Sequence, residues 1–142
     1  SLQPDIISFS ACISASEKAS KFEVALKLLE EVHRQSLQPS VITYNATISA
    51  CEKAGRFDLA LKLLEDMQRG GLKPDVISYN AAISSCEKSA RFELALKVLE
   101  EMQHQKVEPN VISCSAAISA CEKSGKFELA VTLLRQMLGY GL

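Results

Sequence analysis

Hydrophobic residues recur along this chain at the spacing of an amphipathic α-helix. One block places its apolar side chains three or four positions apart, on one helical face: Phe57, Ala60, Leu61, Leu64 and Met67. It is followed by residues that end a helix: Gly70, Gly71 and Pro74. Because no alternating strand pattern competes, this block predicts an α-helix.

The segment before this block predicts a partner helix. Thr43 can serve as its N-cap, and serines hold the equivalent place elsewhere in the chain: Ser8, Ser78 and Ser113. The predicted helix runs to about Ala54, and Gly55–Arg56 supplies a turn. The two predicted helices therefore form a hairpin.

The hairpin pattern repeats every 35 residues. Three residue types mark the step: prolines at 4, 39, 74 and 109, phenylalanines at 22, 57, 92 and 127, and lysines at 18, 53, 88 and 123. The segments 41–75 and 76–110 are identical at 21 of 35 positions. We therefore divide the chain into a tail of a preceding repeat (1–5), three full repeats (6–40, 41–75 and 76–110) and a truncated fourth (111–142). We expect the array to have been cut at both ends.

A single helical pair cannot bury its apolar stripe, so repeats of this kind stack on one another. Stacking is expected to bury Ile48, Phe57, Ala60 and Leu64. Small residues at one place in each repeat are expected to mark close helix–helix approach: Ala25, Ala60, Ala95 and Ala130. The sequence thus predicts an all-α fold, a right-handed superhelical α-solenoid of helix-turn-helix repeats forming one continuous domain.

Composition narrows the class of protein further. With 47% hydrophobic and 23% charged residues, the chain is too apolar for a disordered protein. No apolar run approaches the roughly 18 residues that span a bilayer, so no membrane association is predicted. The five cysteines include no Cys-x-x-Cys pair, which favours a reducing compartment over a disulfide framework. The chain opens as SLQPD, without an initiator Met or a targeting segment, so we expect a fragment or a processed chain.

The repeat cores PDVISYNAAISSCEK and FELALKVLEEM, at a 35-residue period, resemble the pentatricopeptide repeat family. The resemblance covers essentially the whole chain and recurs four times. The tetratricopeptide repeat differs, because its period is 34 residues and its pattern includes a Trp, which this chain lacks. The uniform period resembles the subclass built from 35-residue repeats alone, whose known members bind organellar RNA.

One face of the predicted first helices carries a periodic stripe. Positions two, five, nine and thirteen of each repeat are three, four and four residues apart, so they share a face. In the second repeat they are Ile42, Asn45, Ser49 and Lys53. This order of apolar, polar, small and positive residues suits a planar base followed by its phosphate. We expect the stripe to line the concave wall of the solenoid.

The net charge of −1 gives no global sign of a nucleic-acid partner. The first 16 residues of each repeat contain one acid and two bases, however; in the second repeat these are Glu52, Lys53 and Arg56. Four such halves sum to +4, which leaves −5 for the remaining residues. A basic inner layer and an acidic outer one are therefore expected, with acidic pairs of the second helices facing solvent: Glu30–Glu31, Glu65–Asp66 and Glu100–Glu101. The lysines have an alternative role, which is to favour the C-terminal dipole of their helices.

The family resemblance implies that each repeat reads one base with its fifth and its last residue, parallel to the RNA from 5′ to 3′. It implies base-reading roles for Ser10, Ser40, Asn45, Asp75, Asn80, Asn110 and Ser115. It further implies that Ile7, Ile42, Ile77 and Ile112 sandwich bases, and that Lys18, Lys53, Lys88 and Lys123 approach phosphates. A local turn or capping role is the alternative for the asparagines and for Asp75.

By this resemblance the pair Asn45 and Asp75 looks like a uracil reader, and Asn80 with Asn110 looks like a cytosine reader that tolerates uracil. Ser10 with Ser40 favours a purine, and so does Ser115, whose last-position partner lies beyond Leu142. The predicted register is purine–U–C/U–purine.

Other chemistry is not indicated. Cys51, Cys86 and Cys121 recur at one place per repeat, which is typical of small, semi-buried packing rather than metal binding. His33 and His104 have no catalytic neighbours in sequence, and no phosphate loop is present. We therefore predict no enzyme, no metal, no cofactor and no small-molecule substrate.

The predicted partner is single-stranded RNA, and family resemblance implies a mitochondrial or plastid location and a role in RNA processing or stability. The main alternative is a protein-interaction scaffold, because similar helical solenoids often bind peptides and the fold alone never settles function. Additional protein partners are compatible with either reading.

Overall fold

The computed structural model describes Leu2 and residues 4–139. Within these residues it contains eight α-helices of 13 residues each and no strand. The helices are α1 (Ile6–Lys18), α2 (Phe22–Arg34), α3 (Val41–Lys53), α4 (Phe57–Arg69), α5 (Val76–Lys88), α6 (Phe92–His104), α7 (Val111–Lys123) and α8 (Phe127–Gly139). The predicted all-α fold of helix-turn-helix repeats is confirmed, since the first helices begin at 6, 41, 76 and 111, one period apart.

The helices form two compact units, α1–α4 and α5–α8, which divide between Pro74 and Asp75. In the first unit, α1 packs on α2, and α3 packs on α1, α2 and α4. In the second unit, α5 packs on α6, and α7 packs on α5, α6 and α8. Each unit therefore contains two repeats, and in each unit the first helix of the later repeat lies against both helices of the earlier one. The prediction of one continuous domain stays a prediction.

The first helices begin three residues earlier than their predicted N-caps, so the prediction of Thr43, Ser8, Ser78 and Ser113 as N-caps was wrong. The N-caps are Asp5, Ser40, Asp75 and Asn110. In α3 the Ser40 side chain accepts from the Thr43 backbone N–H, and the Thr43 hydroxyl accepts from the Ser40 N–H. This reciprocal capping box satisfies two backbone donors at the helix start. The last residue of a repeat therefore also starts the next helix.

Each hairpin turn contains a residue with positive φ, which lets the chain leave the first helix within three residues. At this place Gly55 has φ 71° and Gly125 has φ 69°, whereas Ser20 and Ala90 adopt 57° and 54°. The amide of Arg56, which follows Gly55, donates to the Cys51 carbonyl at 2.9 Å. This bond supplies a partner for one of the last carbonyls of α3.

The core of each unit lies between first and second helices. Ile48 and Ala60 are fully buried, and Leu64 is buried as well, as predicted. The small residues Ala25, Ala60 and Ala95 are also fully buried, whereas Ala130 in α8 is half-buried. Phe57 is only half-buried, so its prediction as a core residue needs correction. The equivalent Phe22 and Phe92 are half-buried as well, so the first residue of these second helices is not a core position.

The recurrent cysteines are more deeply buried than predicted. Cys51, Cys86 and Cys121 are fully buried, and Cys114 is buried at the place that holds tyrosine in the second and third repeats. Burial raises the pKa of Cys51 and of Cys86 to about 11. These thiols therefore stay protonated and act as small apolar groups. Cys12 differs, because it is exposed.

None of the helices in the described part of the chain combines the length and the apolar character needed to cross a bilayer.

Candidate nucleic-acid interface

In both units the first helices expose isoleucine at their second position. Ile7 and Ile42 are 75% exposed in the first unit, and Ile77 and Ile112 are 60% and 61% exposed in the second. These four large aliphatic side chains occupy equivalent places. Packing in the core of either unit does not explain why they are exposed to solvent. In each unit, we call the surface formed by positions two, five, nine and thirteen of its two first helices the first-helix face.

In the second unit, the fifth and last residues of the third repeat meet on this face. The Asn80 side-chain amide on α5 donates to Asn110 Oδ1 at 3.1 Å. Asn110 Oδ1 also accepts from the Ser113 backbone N–H at 3.1 Å, which is its N-cap bond. The Ser113 hydroxyl lies within hydrogen-bonding reach of both Asn80 Oδ1 and Asn110 Oδ1. Two predicted base-reading residues are therefore held together by a third side chain, from the next repeat.

In the first unit, an equivalent cluster consists of hydroxyl groups only. The Ser10 and Thr43 hydroxyls share a hydrogen bond of 2.9 Å, and Thr43 Oγ1 lies 3.2 Å from Ser40 Oγ. Thr43 is fully buried, whereas Ser40 is exposed and Ser10 half-buried. Thr43 thus links the fifth and last residues of the first repeat, as Ser113 does in the third.

The remaining predicted base-reading residues lie at the expected places on their helices. Asn45 is half-buried at the fifth position of α3, and Asp75 is the exposed N-cap of α5. Ser115 is exposed at the fifth position of α7. Asn45 and Asp75 belong to different units, so their pairing stays a prediction.

The predicted phosphate-contacting lysines lie in the last turn of the first helices. Within each unit, the lysine of the later repeat forms an ion pair with a glutamate of the earlier one. Lys53 Nζ lies 2.5 Å from Glu17 Oε2, and Lys123 Nζ lies 2.8 Å from Glu87 Oε1. Ser119, at the ninth position of α7, also donates to Glu87 Oε1 at 2.8 Å.

Burial and hydrogen bonding act in opposite directions on Glu87. Burial raises its pKa, but the hydrogen bonds from Lys123 and Ser119 outweigh this effect and leave the pKa below its ordinary value. The carboxylate is therefore ionised at neutral pH. It places one negative charge next to Lys123 of the first-helix face.

Each repeat has two basic residues among its first 16 positions. The second of them lies at the start of the second helix and not on the first helix. The Arg56 guanidinium lies over the Phe22 ring at 5.6 Å, and Lys126 Nζ lies over the Phe92 ring at 5.3 Å. These contacts are cation–π interactions between successive repeats. The expectation of a basic first-helix layer needs correction, because within the helix bounds each first helix carries one glutamate and one lysine.

Outside this face the charged residues pair locally along the second helices. Glu31 pairs with Arg34, and Arg69 pairs with Glu65 and Asp66. His33 lies within hydrogen-bonding distance of the Tyr44 hydroxyl, at 3.1 Å, and His104 lies 3.9 Å from Glu100. In the described residues no group of histidine, cysteine and carboxylate side chains is arranged to hold a metal ion.

Sequence spacing assigned no role at this face to two sets of residues whose side chains contact it in the structure. One set links the fifth and last residues of a repeat, namely Thr43 and Ser113. The other pairs with lysine, namely Glu17 and Glu87. Both sets recur at the 35-residue period, which was the available signal. Their partners depend on how one repeat is offset against the next, and spacing alone does not reveal this.

Helical hairpins that repeat every 35 residues and present periodic polar and aliphatic side chains on their first helices define a helical-repeat protein. Family comparison agrees with this class. The PPR repeat family matches residues 39–88 and 74–123, the pentatricopeptide repeat domain matches residues 1–54, and the PPR repeat matches residues 112–142. This chain belongs to the pentatricopeptide repeat family, and the predicted resemblance is confirmed. None of the functionally curated proteins compared with the chain matches it.

Several solved structures show the same fold. Pentatricopeptide repeat protein PPR10 in complex with an 18-nt psaJ RNA element superimposes with a TM-score of 0.87 at 25% identity, over 98% of this chain and 20% of that chain. PPR10 from maize gives a TM-score of 0.83 at 23% identity, with the same coverage. Nuclear proteinaceous RNase P 2 from A. thaliana gives 0.86 at 14% identity, over 98% of this chain and 32% of that chain. This chain thus spans about a fifth of the length of PPR10.

Proposed function

We propose that this chain binds single-stranded RNA on the first-helix face, with each repeat reading one base through its fifth and last residues. The observation that carries the proposal is the contact between Asn80 and Asn110. These two amides are 30 residues apart in sequence, yet they share a 3.1 Å hydrogen bond beside two exposed isoleucines of the same face. Membership of a family in which PPR10 forms a complex with RNA supports the same proposal.

The side-chain chemistry of the third repeat suits a pyrimidine. A primary amide offers both a donor and an acceptor to a base edge, and Asn80 and Asn110 present two such groups. The aliphatic surfaces of Ile77 and Ile112 are available to cover the two faces of a base. We propose that this repeat reads cytosine and tolerates uracil.

The other repeats complete the proposed register, purine–U–C/U–purine. The serine hydroxyls of the first repeat, Ser10 and Ser40, are short and leave room for a purine. In the second repeat, a carboxylate at Asp75 would accept from the ring N–H of uracil while Asn45 contacts the same edge. Ser115 at the fifth position of the fourth repeat favours a purine.

The RNA backbone is expected to follow the lysines at position thirteen. Lys53 and Lys123 have side chains that are 44% and 42% exposed, so their ammonium groups are accessible to phosphates. With about four bases covered at roughly 1–3 kcal/mol each, affinity is expected to be on the order of micromolar. We further propose that the role is in organellar RNA processing or stability, in mitochondria or plastids, through binding rather than catalysis.

The test exchanges the base-reading pair of the third repeat. In the variant Asn80→Thr with Asn110→Asp, the third-base preference is expected to shift from pyrimidine towards guanine. Aspartate is a good N-cap, so α7 keeps its start. Binding is measured by fluorescence anisotropy on a purine–U–C–purine site in a neutral single strand, with the third base changed to each alternative in turn.

Three controls accompany this measurement. The matching DNA and an unrelated RNA test the class of ligand, and circular dichroism verifies that the variant is folded. A folded variant that keeps its pyrimidine preference would contradict base reading by this pair. Equal binding of all RNAs by the unmodified chain would contradict sequence selectivity as a whole.

A further inference from the structure

Two of the predicted phosphate-binding lysines have carboxylate partners on the preceding first helix. Each partner is the residue before the last position of a first helix, Glu17 in α1 and Glu87 in α5, and each reaches the lysine of the following repeat. These pairs join residues 36 apart in sequence, so they are contacts between repeats and not local helix pairs.

The two members of each pair differ in accessibility. The Glu17 and Glu87 side chains are 19% and 16% exposed, whereas Lys53 and Lys123 are 44% and 42% exposed. The carboxylate is thus held between the two helices, and the ammonium group is on the solvent side. The Ser119 hydroxyl fixes the Glu87 carboxylate further by donating to the same oxygen that Lys123 contacts.

A phosphate that approaches either lysine meets a charge that is already partly neutralised. It must replace the carboxylate as the nearest anion or share the ammonium group with it, and it is repelled by the carboxylate that remains. Partly exposed ion pairs are weak, so such an exchange is feasible. Its effect is to lower the affinity for the RNA backbone, whatever the base sequence.

We propose that Glu17 and Glu87 are built-in competitors for the phosphate contacts of Lys53 and Lys123, and that they weaken sequence-independent binding of single-stranded RNA. This inference rests on the proposed function. These glutamates limit the contribution of the RNA backbone to the binding affinity. RNA binding therefore depends more on the contacts that positions five and thirty-five of each repeat make with the bases.

The test is the double variant Glu17→Gln with Glu87→Gln. Its affinity is expected to rise roughly two- to tenfold, by the same factor for the purine–U–C–purine RNA and for an RNA with a changed third base. The salt dependence should become steeper, by up to about 0.7 in the logarithmic slope for each released lysine. The two single variants should each give a smaller rise, and the two rises should multiply to that of the double variant.

A matched control separates the effect of where the charges lie from the effect of removing two negative charges. Glu30 and Glu100 are exposed residues of second helices, related by the same two-repeat step as Glu17 and Glu87. The variant Glu30→Gln with Glu100→Gln removes the same two charges away from the face, and it should raise affinity clearly less. Thermal unfolding followed by circular dichroism verifies that both proteins are folded.

The outcomes of these measurements distinguish the competitor role of the glutamates from the proposed function. If the unmodified chain binds RNA and the Glu17/Glu87 variant binds no more tightly than the Glu30/Glu100 variant, the competitor role is overturned and the proposed function stands. If none of the three proteins binds any RNA, the proposed function is overturned, and the competitor role falls with it.

Discussion

Single side chains at the starts of the first helices serve more than one purpose. Asn110 caps α7 through its contact with the Ser113 backbone and also bonds Asn80 on the preceding first helix. The capping role that the sequence analysis kept as an alternative is therefore present. Capping does not compete with the proposed base reading, because the Asn110 oxygen accepts from the capped amide while its NH₂ group is a separate donor.

Ser85 offers a test at the residue scale. It is buried on α5, and its hydroxyl lacks a hydrogen-bond partner, whereas the same place holds alanine in the other repeats: Ala15, Ala50 and Ala120. Because a buried hydroxyl without a partner is destabilising and alanine is a better helix former, Ser85→Ala should raise the free energy of unfolding by about 1 kcal/mol. Urea denaturation followed by circular dichroism measures this change.

The neighbouring serine supplies the control for Ser85. Ser84 lies at the ninth position, on the first-helix face, and it is half-buried. Ser84→Ala should give no comparable gain in stability. If both variants were equally stable, helix propensity alone would explain the effect and the unsatisfied hydroxyl would not be its cause.

At the scale of elements, the 13-residue helices depend on their ends as much as on their apolar faces. Capping boxes start α3, α5 and α7, and a residue with positive φ follows the first helix in every hairpin. The 35-residue period predicted the positions of these turns, because glycine occupies two of them. It did not reveal that serine and alanine adopt the same backbone in the other two.

The turn after α5 supplies a prediction at this scale. Ala90 has φ 54°, a conformation that is costly for an L-residue with a Cβ atom, whereas Gly55 and Gly125 hold the equivalent place in other hairpins. Ala90→Gly should therefore raise the free energy of unfolding by about 0.5–1 kcal/mol, after the entropic cost of glycine is subtracted. Chemical denaturation of the two proteins measures the difference.

A neighbouring position in another hairpin is the matched control. Ala54 has φ −85°, so glycine relieves no strain there and only adds freedom to the unfolded chain. Ala54→Gly should lower stability. A loss of stability in Ala90→Gly as well would show that the positive φ of Ala90 carries little strain.

At the scale of the whole molecule, charge distribution matters more than net charge. The chain carries −1 overall, yet every first helix ends in the sequence Glu-Lys and every second helix carries at least one further acidic residue. With a net charge of −1, RNA binding requires that a few lysines provide most of the phosphate contacts. Removal of these lysines is therefore expected to weaken RNA binding clearly.

The double variant Lys53→Ala with Lys88→Ala tests this expectation. It should weaken binding of all RNA sequences alike and make the salt dependence shallower, by up to about 0.7 in slope per lysine, because fewer counterions are released. Anisotropy titrations at several salt concentrations give both quantities. Lys27→Ala with Lys97→Ala, which removes exposed lysines of the second helices, should change the slope much less. Equal effects of the two variants would contradict a localised backbone contact.

Much of the fold was predictable from particular residues. The prolines, phenylalanines and lysines at a 35-residue step predicted the number and length of the hairpins, and Ile48, Ala60 and Leu64 were correctly assigned to the core. The positions of the helix starts and the exposure of Phe57 were not predicted correctly. The first error arose because a capping serine or threonine at N3 has the same sequence signature as an N-cap, and the second because amphipathic spacing does not show how deeply each position is buried.

The sequence by itself determined that this chain folds as helical hairpins of one repeat type, because apolar spacing, turn residues and period are local properties of the chain. Only the tertiary structure decided which side chains of successive repeats meet within each unit. Ser113 reaches Asn80 and Lys123 reaches Glu87 because α7 is seated on α5 with one particular offset. That offset results from the packing of buried side chains, and no spacing along the sequence encodes it directly.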